Sequence, residues 1–395
     1  MGRKYTGIVL ADVHVGAIPI EKLYVQFMNQ IVTRIKEKQP DFIIICGDWF
    51  DHKLYLNDKE SFYSYKMIQE MIEASKKECK IRFVYGTESH ECDQYDIIGN
   101  MTGRDIDIIK YVKEEELFPN IKVLYLPEEH ILDKQEYYKD FIKDKYYNYV
   151  FGHGIIREAM KMAALHNDQS KTKRKKVPVF STAELRKVCK GQVYFGHYHI
   201  HTDMDDIYYV GSFTRWQFGE EDAKGFYYIS YDEDKDKYKN KFIENTEAEN
   251  YTTIRYGYSS PVFQSVENME KKLSDIDKIV DMHVLDHVRF QFNIPADSEK
   301  PEFIMNYLKE RYKFNDKIKV GFEHGYVEEK KKQKKEKIKE ENAKYAFIFD
   351  NNIPFVNKVV QFIHIEYDRD LKTNTVDRYL NIPLNEIIEK NDGDV

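Results

Sequence analysis

Up to about residue 211, short runs of apolar and β-branched residues alternate with longer stretches in which apolar positions return every three or four residues. The short runs predict strands at residues 5–11, 42–46, 81–85, 122–126, 149–152, 193–196 and 208–211, and the longer ones predict helices at 21–38, 59–77 and 181–189. Alternation of this kind reads as α/β, with helices covering a sheet or a pair of sheets. From about residue 251 the pattern changes. Apolar stretches at 252–256, 287–292 and 318–322, separated by helical patterns at 266–273 and 302–312, predict a small α+β unit. The run Asp-Glu-Asp-Lys-Asp-Lys at 232–237 marks the expected boundary. A Lys/Glu-rich run at 328–341 reads as a solvated helix or linker and precedes an apolar-rich tail.

Composition narrows the picture. A length of 395 residues implies a catalytic domain with one or two smaller units, and 42% hydrophobic residues supply a core despite 33% charged ones. Cys46, Cys79, Cys92 and Cys189 are scattered, which fits neither a disulfide framework nor a zinc finger. No run approaches a membrane span and the first residues lead into no signal-peptide apolar region, so a cytoplasmic location is expected. With a formal net charge of −7 the chain has no overall attraction for nucleic acid, so a polyanion must be met by local basic segments or by metal ions.

The candidate chemistry stands just past the carboxyl ends of the expected strands, where α/β folds build their sites. Asp12-Val13-His14 puts two ligand types at i and i+2, on one side of an extended chain. By itself Asp-x-His is common in loops. Gly47-Asp48-Trp49-Phe50-Asp51 follows an apolar strand, and a carboxylate carried over the strand end by a glycine turn can bridge two cations or cap a helix. Gly196-His197-Tyr198-His199 repeats the i, i+2 arrangement with two imidazoles suited to first-row metals, and His201 extends the alternation as a residue that supports the ligands from behind or lies on the surface. His153 follows another strand, and the segment Gly86-Thr87-Glu88-Ser89-His90-Glu91 offers a histidine able to act on substrate rather than metal.

These five segments, in this order and each after an expected strand, resemble the signature of the calcineurin-like metallophosphoesterases. Val210-Gly211-Ser212 followed by Phe218 and Glu220, together with the added small domain and tail, resembles the SbcD-type DNA-repair exonuclease branch and its phage members. The resemblance implies a two-sheet sandwich flanked by helices, with a small α+β capping domain and a C-terminal tail. It divides the chain into a nuclease domain at 1–235, a capping or DNA-binding domain at 250–326, a charged linker at 327–345 and a partner-docking segment at 346–395. It implies one metal held by Asp12, His14, Asp48 and His199, and another held by Asp48, His153, His197 and a ligand from the third motif. That family has Asn directly before the histidine of the third motif, whereas this chain has Ser89 before His90 and two extra residues after Gly86. Serine is a shorter and poorer neutral ligand, so the second metal is expected to bind more weakly or through water.

His90 is then expected to contact the scissile phosphate and to stabilise or protonate the leaving oxygen, with Asp51 and Glu91 orienting histidines. The implied cofactor is a pair of divalent cations, manganese first, with magnesium or another first-row metal as alternatives. The implied substrate is DNA, the implied partner an SbcC-type coiled-coil ATPase, and a homodimer is a further expectation. Lys171, Lys173, Arg174, Lys175 and Lys176 form a basic segment that borders the crevice or is simply a solvated loop. Phe347, Ile348, Phe349, Phe355, Val359, Val360, Phe362 and Ile363 give the tail an apolar face for docking on a partner or on its own catalytic domain. The alternatives are a phosphoesterase acting on small nucleotides or phosphoproteins, and a non-catalytic DNA-binding subunit. The full set of histidines and motif aspartates argues against the last.

Overall fold

The computed structural model describes residues 2–95, 104–159, 177–281, 286–295, 299–311, 317–324 and 353–367. Two six-stranded sheets lie at its centre. The first has the order β14-β13-β1-β2-β3-β4, where β1 is Lys4–Leu10, β2 Phe42–Cys46, β3 Lys80–Val84, β4 Ile106–Ile109, β13 Gly225–Asp232 and β14 Lys237–Glu244. The second has the order β11-β12-β10-β7-β6-β5, where β5 is Lys113–Phe118, β6 Ile121–Leu126, β7 Tyr147–His153, β10 Cys189–Gly196, β11 Thr202–Asp203 and β12 Ile207–Tyr209. Strands β1 to β4 run parallel, as do β6, β7, β10 and β12, so the strands that precede the site all end on the same side of their sheets. Two-residue strands β8 (Ile155–Ile156) and β9 (Val179–Phe180) pair separately.

The two-residue period of each strand sorts its side chains between layers. From β1 and β2, Val9, Phe42, Ile44 and Cys46 enter the core between the sheets, where they meet Val123, Tyr125, Tyr149, Phe151 and Tyr194 of the second sheet. The intervening Ile8, Leu10, Ile43 and Ile45 face outward against helices α1 (Ile20–Phe27) and α3 (Lys59–Ala74) through Leu23, Phe27, Met67 and Met71. On the far side, Leu124, Leu126, Val150, Val193 and Phe195 pack against Leu185 and Val188 of the helix Thr182–Val188. This is a two-sheet α/β sandwich flanked by helices. Burial on both faces explains why β2 reads Phe-Ile-Ile-Ile-Cys without a polar position. Each such fully buried side chain contributes about 1.5–3 kcal/mol of transfer free energy.

The local differences from the sequence reading have physical causes. The helix expected at 21–38 is interrupted by a π-turn at Met28–Val32 before it resumes as α2 (Thr33–Lys38). The turn holds the apolar positions Ile31, Val32 and Ile35 in the core. The acidic run at 232–237 is the connection of the β13–β14 hairpin, in which Asp232 caps a 3₁₀ turn. Ser181 and Glu184 form a reciprocal capping box that starts the helix Thr182–Val188.

The residues expected as a capping domain supply β15 (Tyr251–Tyr256), β16 (His287–Ile294) and β17 (Ile318–His324), in the sheet order β15-β16-β17, with helices Val266–Asp281 and Glu302–Arg311. The chain divides into two compact units. One comprises Met1–Tyr256, Ser260–Gln291 and Glu302–Gly321, and the other Gly257–Ser259, Phe292–Pro301 and Phe322–Val395. The second includes the stacked rings of Phe292 and Phe322 and the helix Phe355–Tyr367. The basic segment at 171–176, the Lys/Glu run and Phe347 to Phe349 lie outside the described residues. Among the described residues no helix is long and apolar enough to cross a membrane.

Candidate metal centre

Every element of the site begins where a central strand stops. Beyond β1, Asp12 and His14 donate their backbone N–H groups to Gly47 and Asp48 carbonyls at 3.1 Å, which ties the β1 and β2 loops together. The extended geometry expected for Asp12-Val13-His14 is not what the chain adopts. Asp12 has φ 50° and His14 φ 49°, both left-handed, as are Asp48 at 48° and His197 at 105°. Non-glycine residues in this region cost about 1–3 kcal/mol each and gather at functional sites. At Gly47, with φ 79°, a Cβ would lie 2.1 Å from His153 Nδ1, so glycine serves both the turn and the close approach of that ring.

The structure brings Asp12, His14, Asp48, Asp51, His90, His153, His197 and His199 into one cluster, buried at Asp12, His14, Asp48, His153 and His197 and half-buried at Asp51, His90 and His199. Donor atoms of Asp12, His14 and His199 lie within 4.8 Å of one another, and so do those of Asp12, Asp48 and His153 and those of His14, Asp51 and His90. His14 Nε2 is 3.9 Å from Asp12 Oδ1 and 3.8 Å from Asp48 Oδ2, too far for hydrogen bonds but matching donors arrayed around a shared cation. His153 Nε2 is 3.3 Å from Asp48 Oδ2.

Outer groups fix the rings. His153 Nδ1 lies 2.9 Å from the Cys46 carbonyl, His199 Nδ1 is 2.9 Å from Glu220 Oε1, and His14 Nδ1 is 3.3 Å from Asp51 Oδ1. His90 Nδ1 bonds the Asp51 carbonyl. Holding Nδ1 in this way selects the tautomer and leaves Nε2 as the metal- or substrate-facing nitrogen. Asp51 thereby touches two of the rings, His90 through its carbonyl and His14 through its carboxylate. Trp216 closes one side, its ring centroid 4.6 Å from that of His14 and 4.5 Å from that of His199.

The electrostatics follow from burial and pairing. Burial opposes the charge on Asp48, but the adjacent His153, then His14 and His90, outweigh it and hold the carboxyl well below the usual range. Burial likewise disfavours His153 protonation, yet Asp48 beside it drives its pKa up to about 10. Asp51 is lowered to about 2 against its own desolvation by His14 and His52.

Glu91 is buried beneath the Asp48 turn, where its Oε1 accepts from the N–H groups of Trp49 and Gly86 at 3.3 Å and from the Tyr95 hydroxyl at 2.9 Å. Burial, and secondarily the Asp48 charge, push it up to about 8. Ser89 is exposed on α4 (Glu88–Glu91), the short helix that also carries His90.

Three contributors escaped the sequence reading. Glu220 appeared there only as part of a resemblance, Trp216 not at all, and Glu128 lay unmarked two residues past β6. Glu128 is buried, with Oε2 3.2 Å from His197 Nδ1 and 3.9 Å from His153 Nε2, and the three residues form a fourth donor group. The only signal for it was position, an acidic residue just beyond the end of a central parallel strand.

No family model matches the sequence, and no curated protein matches it. Among solved structures, a cold-active protein-tyrosine phosphatase of the psychrophile Shewanella SP. is similar at 12% identity, over 61% of this chain and 79% of that chain, with a TM-score of 0.27. A likeness this slight supports no inference about activity. The cluster itself carries the conclusion: these buried His, Asp and Glu side chains have the donors and the spacing to hold metal ions.

Proposed function

We propose that this chain is a metal-dependent phosphoesterase, and within that class a DNA nuclease of the SbcD type. The observation that carries the reading is the position of Asp48, whose Oδ2 lies 3.8 Å from His14 Nε2 and 3.3 Å from His153 Nε2. A carboxylate shared in this way is what a two-cation centre needs. One cation would be held by Asp12, His14, Asp48 and His199, the other by Asp48, His153 and His197. The residues fit such ions because His14 Nε2 is buried and has no hydrogen-bond partner, a costly state that a bound cation relieves, and because His153 Nε2 and His197 Nδ1 face Asp48 and Glu128 at 3.3 and 3.2 Å.

When bound, two divalent cations supply neutralisation of phosphate charge and acidification of water. The protein supplies the rest. His90, anchored through Nδ1 on the Asp51 carbonyl, is positioned to donate a proton to the leaving oxygen from Nε2. Asp51 holds His14 and His90 in register, so the metal ligand and the acid are set by one residue. Trp216 shields His14 and His199 from water on one side.

Manganese as the supporting metal, DNA as substrate and an SbcC-type ATPase as partner belong to the same proposal, supported by the resemblance in motifs over about residues 5–220. The test is hydrolysis of linear duplex DNA, single-stranded DNA and a small phosphodiester with manganese, with and without a candidate ATPase, by the wild-type chain and Asp48→Ala. Metal-dependent cleavage that Asp48→Ala abolishes while circular dichroism is unchanged is expected. Undiminished activity in a clean Asp48→Ala preparation would sink the two-metal reading.

A further inference from the structure

Near the histidines of the second metal position the structure brings a carboxylate from another strand end. Ser89, which stands where the ligand-bearing residue of the third motif is expected, is exposed. Glu128 instead lies buried in the cluster, with its Oε2 3.2 Å from His197 Nδ1 and 3.9 Å from His153 Nε2. The Thr87 hydroxyl donates to the same oxygen at 3.3 Å. Donors bound to one cation at about 2.1 Å sit roughly 3 Å apart when adjacent. The His197–Glu128 and His153–Asp48 separations, 3.2 and 3.3 Å, are close to that spacing.

The neighbouring Glu129 is engaged elsewhere, with Oε2 accepting from the Val112 N–H at 3.0 Å and Oε1 from the Tyr137 hydroxyl. Glu128 is thus the member of the pair that reaches the histidines.

We propose, resting on the two-metal reading above, that Glu128 is a ligand of the second cation, and that its charge tunes the centre to phosphodiesters over phosphomonoesters. The carboxylates assigned as ligands, Asp12, Asp48 and Glu128, set three negative charges against the four positive charges of two divalent cations, and a neutral ligand in place of Glu128 would make the centre one unit more positive whatever Asp51 and a bound hydroxide contribute. A centre one unit more positive favours the dianion of a monoester over the monoanion of a diester. A unit charge about 5 Å away, at an effective dielectric of about 40, changes the preference between them by about tenfold or somewhat more.

The experiment uses the full-length chain as wild type, Glu128→Gln, Glu128→Cys and Ser89→Ala, each checked for native near-ultraviolet circular dichroism. Equilibrium dialysis against manganese should give two ions per wild-type chain and per Ser89→Ala chain. For Glu128→Gln, one ion should stay tightly bound while the affinity for the other falls at least 100-fold. Glu128→Cys titrated with cadmium should give a thiolate-to-metal charge-transfer band absent from the wild type, which a residue that merely orients His197 would not produce.

With a chromogenic diester and monoester, Glu128→Gln should raise the monoester-to-diester ratio of kcat/KM about tenfold. Two ions bound with undiminished affinity in Glu128→Gln, or no new band in Glu128→Cys, would overturn the ligand assignment. An unchanged ratio would overturn the specificity argument. A wild-type chain that bound no metal would instead refute the two-metal reading and leave Glu128 an ordinary buried carboxylate.

Discussion

Glu91 gives a sharp test of the electrostatics beneath the metal centre. Its carboxyl is fully buried, and one oxygen takes three hydrogen bonds while Oε2 has no partner. Burial and then Asp48 lift its pKa from 4.5 to about 8. Because the folded value is the raised one, the native chain binds more protons than the unfolded chain between those limits. Stability must therefore fall as pH rises from about 4.5 to about 8 and level off above.

At about 1.4 kcal/mol per pH unit, the interval amounts to about 5 kcal/mol. Glu91→Gln removes the titration but places an amide nitrogen where no acceptor waits, a pH-independent cost of about 1–3 kcal/mol. The assay is urea unfolding of metal-free protein in a chelator from pH 5 to pH 9, wild type against variant. The variant should be the less stable at pH 5 and the more stable at pH 9, with the curves crossing between. A difference between the two proteins that stays constant across this range would refute the reasoning.

Other consequences follow from the same geometry. His90→Ala should retain two bound manganese ions by dialysis yet lose about 10²–10⁴-fold in kcat; equal losses of metal and activity would make His90 a ligand. Since Asp48 keeps His153 protonated to about pH 10 in the metal-free chain, metal binding at pH 7 must expel that proton. Calorimetry in buffers of different ionisation enthalpy should show this release, and affinity should rise with pH. Glu220→Ala removes the carboxylate 2.9 Å from His199 Nδ1 and should weaken binding at the first metal position by about 10–100-fold, measured by competition with a chromophoric chelator.

Much of the sandwich that carries the candidate site was legible because central parallel strands, buried on both faces, are written as unbroken apolar runs. Phe42 to Cys46 and Val193 to Gly196 announce themselves, and the polar residues that follow inherit their placement. Less was legible at the sheet edges. Strand β5 reads Lys-Glu-Glu-Glu-Leu-Phe, and β14 alternates Lys with Tyr, Asn and Phe, because one face of each meets water and carries the charges. The left-handed backbone at Asp12 and His14 is imposed by hydrogen bonds to Gly47 and Asp48, partners far away in sequence that no local pattern encodes. Glu128 and Glu129 are chemically identical neighbours, and the burial that turns one to the histidines and the other to Val112 arises only from tertiary packing.

The central claim is a pair of cations sharing Asp48. Anomalous diffraction at the manganese edge, from crystals of the full chain grown with manganese, tests it directly. Two peaks about 3.5–4 Å apart are expected at the Asp48 carboxylate, one beside His14 and His199 and the other beside His153 and His197. No peak in this cluster, or a single peak out of contact with Asp48, would contradict it.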